Sequence, residues 1–319
     1  MQLVARIMTV ALLLPVAVVL AVRVLGLDLG FPWGAIVTVL PWLLILAVVA
    51  GAMAAIARWP TGLVSAGLVL TVGAAVLTPR LVPGPNADAG PDATVVTVGV
   101  ANLRLGLADA DALVAAVEEA GIEVLVTLEL TEDAIARLDD AGLTDRLPNN
   151  VLEPSRFTSG GGIHSSLPLT ALPSSEDRGF GRTPRAEIEL TVPGPMVVEA
   201  VHPLPPIQDD WTQRWRSALL GLPDPDGGGR RLLAGDFNAT HDHAPFRALL
   251  DRGWNDAADA VGRGLVPTFN ALPWGEPVPP VTLDHVLVDG DTEVLDVRVL
   301  PLPGSDHRLL VVDIAVPAG

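Results

Sequence analysis

The stretch 230–245, RRLLAGDFNATHDHAP, runs from a short apolar segment directly into Asp236 and Asn238. A short apolar run bounded by Gly and Asn predicts a buried strand. Carboxylate and amide groups at the end of a buried strand are typical of a site that binds a hard cation or moves a proton. The sequence therefore predicts an α/β domain whose chemistry lies at one edge of a sheet.

On both sides of this stretch, short β-branched runs alternate with amphipathic segments, which is the pattern of an α/β domain. The predicted strands are 94–100, 122–128, 196–201, 231–234, 283–288, 294–300 and 309–316, and a helix is predicted at 109–120. Polar residues follow or flank several of them: Asn102, Glu129, His202, Asp284-His285 and Ser305-Asp306-His307. Strand ends open into a shared crevice, so we expect these groups to converge.

Each of these residues also has a purely structural interpretation. Asn102 and Asn238 suit turns after strands, and Glu129 suits the start of a helix near Thr131. No turn requirement explains why all six of these strands should carry such groups, so the ordered set favours a functional site. By contrast, the group His241, Asp242 and His243 lies in a loop beyond the motif, and we predict surface or hydrogen-bonding residues there.

The first third of the chain is strongly apolar. Three stretches, 7–27, 34–57 and 63–79, are each about long enough to cross a hydrocarbon core of ~30 Å as a helix. We therefore predict a three-helix transmembrane anchor at 1–81; a signal peptide followed by a hairpin is the alternative. A Pro- and Gly-rich linker is predicted at 82–93, and the remaining domain at 94–319.

Charge bears on topology and on the substrate. Arg6 and Arg58 flank the apolar stretches, which predicts a multi-pass protein of the cell membrane with these ends in the cytoplasm and the larger domain outside. The net charge is −17 and the chain has no lysine. It therefore lacks the basic surface of a protein that grips nucleic acid tightly.

The ordered set of polar residues resembles the endonuclease/exonuclease/phosphatase superfamily, the group of DNase I-like enzymes, in a membrane-anchored bacterial form. The resemblance covers about residues 94–317 and includes the Gly235-Asp236-Phe-Asn238 and Ser305-Asp306-His307 motifs. It implies a four-layer α/β sandwich of two packed mixed sheets flanked by helices. Ser166 replaces the arginine, and Leu128 the glutamine, that are usual in parts of the family, which puts substrate contacts in doubt.

The resemblance also implies an activity, the hydrolysis of a phosphate ester assisted by Mg²⁺ or Mn²⁺. Two sets of residues are implied. The metal would be held by Asn102, Glu129 and Asp306. The catalytic groups would be His202, Asp236, Asn238, Asp284 and His307. The sequence leaves open whether Asp236 or His307 is the general base.

The substrate class stays open at this point. Nucleic acid, a phospholipid head group and another phosphodiester of the cell envelope all fit a phosphoesterase beside a lipid bilayer, and nothing points to an obligate protein partner. Two other functions remain: a catalytically inactive relative that acts as a binding or scaffold module, and a small transporter or sensor formed by the helices. Arg23 is the one ionisable residue within a predicted span, which disfavours transport.

Overall fold

A computed structural model describes residues 2–84, 93–174, 183–192, 194–225, 230–271, 277–290 and 292–317. Most of the linker predicted at 82–93 lies outside these residues. The last described residue before the gap, Gly84, donates a backbone hydrogen bond to Ala260, so this segment passes along the surface of the C-terminal domain.

In the described part of the chain, two six-stranded mixed sheets form the centre of the C-terminal domain. The first has the order β13-β14-β1-β2-β4-β3. Its strands are β1 (Thr94–Asn102), β2 (Val124–Leu128), β3 (Asn149–Glu153), β4 (Gly161–Ser165), β13 (Glu293–Leu300) and β14 (Leu309–Val316). The second has the order β5-β6-β7-β8-β12-β9. Its strands are β5 (Leu169–Leu172), β6 (Arg185–Ile188), β7 (Met196–Val201), β8 (Arg230–Asp236), β9 (Asn255–Asp256) and β12 (Asp284–Val288). A separate hairpin pairs β10 (Phe269–Ala271) with β11 (Pro277–Val281).

The two sheets pack face to face because alternate residues of their strands are apolar and point inward. Val98 and Val126 of the first sheet join Val198, Leu232 and Val286 of the second in one fully buried cluster. Burial of such a large aliphatic core is the main favourable term in the folding of the domain.

Helices cover both outer faces and complete the predicted four layers. The helices of this domain are α5 (Ala110–Ala120), α6 (Glu132–Asp140), α7 (Leu143–Arg146), α8 (Asp209–Leu220), α9 (Ala244–Leu250) and α10 (Ala257–Ala260). Helix α5 begins at a cap in which Asp109 accepts a hydrogen bond from the Ala112 N–H. On the other side, Trp215 and Leu219 of α8 are buried against the second sheet, as their spacing predicts.

The apolar first third folds as a helical unit made of α1 (Gln2–Leu25), α2 (Trp33–Val37), α3 (Leu40–Ile56), α4 (Pro60–Leu77) and the 3₁₀ turn Thr78–Leu81. Two segments, Gln2–Leu25 and Pro60–Leu81, are long and apolar enough to cross a membrane by length and composition. The expectation of three such helices needs correction. The middle stretch is divided into α2 and α3, and the 17 residues of α3 rise about 26 Å, less than the ~30 Å core.

The helical unit is docked onto the C-terminal domain by buried polar contacts. Asp242 accepts two hydrogen bonds, of 2.5 and 2.9 Å, from the guanidinium of Arg80, and Arg23 lies 3.4 Å from the same carboxylate. The Nε2 atom of His243 lies 2.6 Å from the Gly34 carbonyl oxygen, and the Ala244 N–H donates to Asp28. The residues directly after the Gly-Asp-x-Asn motif thus form an interface between the two parts of the chain.

Candidate active site

Strand pairing brings the predicted site residues to one edge of the sandwich. β1 and β2 are parallel, so Asn102 and Glu129 leave the first sheet at neighbouring positions. β7 and β8 are also parallel, which places His202 beside Asp236 in the second sheet. β12 is antiparallel to β8 and its first residue, Asp284, pairs with Asp236. Because β12 and β8 are antiparallel, the first residue of β12 and the last residue of β8 therefore lie at the same edge of the sheet.

Glu129 and Asn102 form one side of the site. Glu129 lies in the left-handed region with φ 53°, a conformation that is uncommon outside glycine and marks functional positions. It is held there by the Leu105 N–H, which donates to Oε2 at 2.7 Å. The Asn102 amide nitrogen lies 3.4 Å from Glu129 Oε1 and 3.2 Å from Asp236 Oδ2. As placed, Asn102 bridges the two carboxylates and its oxygen accepts from the Arg104 N–H.

His307 and Asp284 form a buried pair on the other side. His307 Nδ1 lies 2.8 Å from Asp284 Oδ2, and its Nε2 lies 3.6 Å from Asp236 Oδ2. Burial alone would lower the pKa of His307, but the Asp284 and Asp236 carboxylates outweigh it and raise the pKa to about 10. His307 is therefore an imidazolium at neutral pH. The Phe269 ring packs 4.9 Å from it and holds its orientation.

Asp236 lies at the centre of the group. Burial, together with the nearby Asp284 and Glu129 carboxylates, raises the pKa of Asp236 to about 7 against the opposing effect of His307. The Asn238 N–H donates to Asp236 Oδ1 at 2.8 Å and fixes its orientation. A buried carboxyl group that titrates near neutral pH is suited to accept and release a proton.

The remaining predicted residues also reach the site. His202 Nε2 lies 3.7 Å from Asp236 Oδ2, and burial lowers the pKa of His202 to about 4, so its imidazole is neutral at pH 7. The Asn238 side chain donates to the Pro203 carbonyl at 3.0 Å. Asp306 lies at the rim, with Oδ2 3.9 Å from the Arg104 guanidinium. These three residues line the same cavity as Glu129 and His307.

The donor set fits a hard divalent cation near Glu129. Burial raises the pKa of Glu129, and that of Asp236 is raised as well, which is the behaviour of carboxylates crowded together in a site of low dielectric. A divalent cation would favour their ionised forms. Oxygen donors of this kind suit Mg²⁺ or Mn²⁺. Asp236, Asp284 and His307 also lie close enough together to share an ion, but a protonated His307 has no lone pair to offer.

His241, Asp242 and His243 do not enter the site. Hydrogen bonding was predicted for them and is found, but a surface position was not correct: all three are buried. His241 lies between Asp256 and Asp259, at 2.9 and 3.1 Å. Although His241, Asp256 and His285 are close enough to share a metal ion, each ring nitrogen of the two histidines lies within hydrogen-bond distance of a protein acceptor. This group is accounted for as a hydrogen-bond network.

Sequence reasoning missed two contributors to the site. Thr268 accepts hydrogen bonds from the Leu283 and Asp284 N–H groups and so positions the Asp284–His307 pair. Ala35, Thr38 and Val39 of the helical unit form part of the cavity wall. The isolated Thr268 gave no signal in the sequence, and apolar residues in a predicted membrane span gave no indication of a role beside a catalytic centre.

Comparisons with known proteins agree with this geometry. The model of the Endonuclease/Exonuclease/phosphatase family matches residues 99–307, whereas no curated protein matches the chain. An endonuclease/exonuclease/phosphatase structure from Beutenbergia cavernae is similar with TM-score 0.54 and 17% identity, over 70% of this chain and 72% of that one.

Two further structures show the same fold. An AP endonuclease from Archaeoglobus fulgidus has TM-score 0.52 and 14% identity, over 68% of this chain and 98% of that one. A TDP2 from D. rerio, complexed with a single-strand DNA product, has TM-score 0.53 and 14% identity, over 69% and 99%. At these identities the structures establish the fold alone. With the family match across most of the C-terminal domain, the chain belongs to the Endonuclease/Exonuclease/phosphatase family.

Proposed function

We propose that the protein is a membrane-tethered phosphoesterase that uses a divalent metal ion and water to hydrolyse a phosphate ester. The observation that carries the proposal is the convergence of Glu129, His202, Asp236, Asp306 and His307 on one cavity. A binding or scaffold module would not need a buried acid–base set with opposed pKa shifts. The inactive alternative is therefore disfavoured.

The polar groups divide the reaction between them. The water oxygen forms a bond to phosphorus and its proton passes to Asp236, whose pKa of about 7 suits a general base at neutral pH. The bond between phosphorus and the leaving oxygen breaks, and that oxygen keeps the electron pair and is protonated by solvent. The His307 imidazolium, oriented by Asp284, stabilises the negative charge that develops on the phosphoryl oxygens.

Other residues position the ester. The neutral His202 and the side-chain amide of Asn238 can donate hydrogen bonds to non-bridging phosphate oxygens. Glu129, with Asn102 and Asp306 beside it, would hold Mg²⁺ or Mn²⁺, which supplies charge neutralisation at the phosphate when bound. Asn102 would ligate through its oxygen only after its amide group rotates, because the nitrogen faces the carboxylates in this structure.

The helical unit supports membrane tethering. Most residues of the two long apolar helices are not buried: the buried share of their most apolar part is 33% in α1 and 17% in Pro60–Leu81. Large apolar side chains such as Val64 therefore face outward. Core helices of a water-soluble protein would be covered instead. The Arg6 guanidinium lies 6.0 Å from the Trp59 ring, so Arg6 and Arg58 mark the end of the unit away from the docked domain. Because cytoplasmic ends of membrane spans carry an excess of Arg and Lys, these residues favour a catalytic domain outside the cytoplasm.

The test is hydrolysis by the full-length protein in detergent. The substrates are bis-p-nitrophenyl phosphate, p-nitrophenyl phosphate and a single-stranded oligonucleotide, each assayed after EDTA treatment and after addition of Mg²⁺ or Mn²⁺. Turnover that disappears with EDTA and returns with the metal supports the proposal. A folded protein that binds Mn²⁺ and hydrolyses none of the three would favour the scaffold function.

A further inference from the structure

The catalytic residues occupy one end of a larger cavity of about 490 Å³, a volume typical of small-molecule sites. Beyond the phosphate end the wall changes character. On the side of the C-terminal domain it is lined by Leu204, Pro206, Ile207, Trp211, Phe269 and Val281. These side chains come from the segment before α8, from the first turn of α8 and from the β10–β11 hairpin. Together with the helical residues described next, they form a surface that we call the apolar groove.

The opposite wall of the apolar groove belongs to the helical unit. Ala35, Thr38 and Val39 line the same cavity as His307. α2 lies directly against the loop before α8. Gly34 of α2 is so close to this loop that an added Cβ atom would lie 3.3 Å from the Pro206 Cβ. The groove therefore runs from the reacting centre along the boundary between the two parts of the chain, next to the apolar helices.

Exposed apolar side chains also lie close to α8. Ile207, which lines the cavity, is 56% exposed, and Leu29 and Phe31 of the α1–α2 connection are 41% and 47% exposed. The Gln213 side chain donates to the Leu29 carbonyl at 3.1 Å, so this connection lies beside α8. Exposed apolar side chains at the end of membrane-spanning helices are suited to the interface of a bilayer.

The charges along the cavity disfavour a polyanionic substrate. Its ionisable lining residues are carboxylates and histidines, and no arginine or lysine is among the described residues that line it. A nucleic-acid strand needs cations along its path beyond the scissile phosphate. The metal ion and His307 can neutralise one phosphate, but neither lies along the apolar wall.

We propose that the apolar groove binds the hydrocarbon chain of a lipid phosphate ester, with the phosphate at Glu129 and His307. This inference rests on the proposed phosphoesterase function and names its substrate class. A lipid in the adjacent leaflet would place its chain between α2 and the Ile207–Trp211 segment, while its phosphate reaches the catalytic end. Hydrolysis then follows the same exchange of bonds at phosphorus, with the chain carried on either the retained or the leaving oxygen.

The test uses full-length protein in a mild detergent and a series of alkyl p-nitrophenyl phosphodiesters, from methyl to dodecyl, kept below their critical micelle concentrations. Each methylene group that enters the groove should raise kcat/KM by about fourfold until the groove is filled. Methyl and dodecyl esters hydrolysed within about twofold of one another would overturn the lipid assignment. Absence of metal-dependent turnover of the methyl ester would instead overturn the phosphoesterase function on which the inference rests.

Substitutions separate the groove from the catalytic centre. Ile207→Ser and Trp211→Ala should flatten the dependence on chain length and leave the methyl ester unchanged. Leu220→Ser is the matched control, because Leu220 is an exposed apolar residue of α8 (42% exposed) outside the cavity lining. In its assay the substrates partition into the detergent to the same extent as in the assays of the groove variants. An unchanged chain-length dependence in both groove variants would contradict the proposal.

Discussion

Among the single residues of the site, Glu129 combines a strained backbone with a partly buried carboxylate. It adopts φ 53°, its side chain is fixed by the Leu105 N–H, and burial raises its pKa. Strain of about 1–3 kcal/mol at a non-glycine residue persists where the surroundings impose it, and such positions cluster at functional sites. The residue therefore has the properties of a metal ligand held in place before the ion binds.

Replacement of Glu129 should remove metal binding without unfolding the protein. We expect Glu129→Ala to weaken Mn²⁺ binding by about 10–100-fold or more and to leave the unfolding temperature nearly unchanged, since a strained, partly desolvated carboxylate is lost. Isothermal titration calorimetry measures the affinity. Glu132→Ala, an exposed carboxylate three residues along the chain, is the control. Equal affinities in both variants would remove Glu129 from the metal site.

His285 provides a second prediction, one that concerns stability rather than catalysis. Burial disfavours its charged form, but the Asp256 carboxylate outweighs burial and raises the pKa of His285. His241 and Asp259 extend the network, and Asp284 adds further negative charge. A raised pKa in the folded state stabilises the protein fully below the unfolded value of about 6.5, and this stabilisation is lost as the pH rises through the folded pKa.

His285→Gln should therefore destabilise the protein more at pH 6 than at pH 9, by about 3 kcal/mol at the lower pH. Unfolding is followed by tryptophan fluorescence. His164→Gln is the control, because burial lowers the pKa of His164 to about 4, so the folded state holds it neutral at both pH values and its replacement should not destabilise the protein more at pH 6 than at pH 9. A His285→Gln effect that is equal at pH 6 and pH 9 would contradict an ionised His285.

At the scale of elements, the connection between β8 and α9 serves both parts of the chain. It begins with Asp236 in the active site and continues to Asp242, which is buried between Arg80 and Arg23. Asp242 is fully buried, and its pKa is held low because Arg80, despite the opposing effect of burial, favours the charged form. A buried carboxylate between two arginines thus joins the β8–α9 connection to the helical unit.

Loss of the Asp242 carboxylate should strongly lower the free energy of unfolding. Asp242→Ala leaves the Arg80 guanidinium buried without its partner, for which we expect a loss of about 3–5 kcal/mol in unfolding free energy. Glu118→Ala is the control, because its pair with Arg146 is about half exposed on both sides and such pairs contribute about 0–1 kcal/mol. Similar small losses in both variants would show that the helical unit is not held through Asp242.

The sequence predicts the elements better than their contacts. Short runs of β-branched and apolar residues identified the strands that lead to Asn102, Glu129 and Asp236, because such a run is a local property of the sequence. The role of Asp242 was not predictable, since its partner Arg80 is 162 positions away in the chain. The division of the middle apolar stretch at Thr38 was missed as well, because hydropathy alone does not distinguish a break from a continuous span.

In the whole molecule, the candidate active site lies against an apolar helical unit. If the helices span a bilayer, Arg58 and the outer surface of α5 lie on opposite sides of it. The natural chain has no cysteine, so single cysteines report topology without background. Glu119 on α5 and Arg58 are both exposed and provide suitable positions.

The proposed topology predicts different labelling at these two positions. In intact cells with a permeable outer envelope, a membrane-impermeant maleimide should label Glu119→Cys, whereas Arg58→Cys should react only after the membrane is opened. The reverse pattern would place the catalytic domain in the cytoplasm. Labelling of both positions in intact cells would contradict a protein that separates these two sites across a membrane.

We propose that the converged carboxylates and histidines hydrolyse a phosphate ester. The most direct test is the Mn²⁺-dependent turnover of bis-p-nitrophenyl phosphate by the full-length protein and by His307→Ala, purified side by side. We predict turnover by the unmodified protein, lost on metal removal, and a fall in kcat of about 10²–10⁴-fold in the variant, since His307 acts only on the charge that develops during reaction. Equal turnover by the two proteins would contradict hydrolysis at this site.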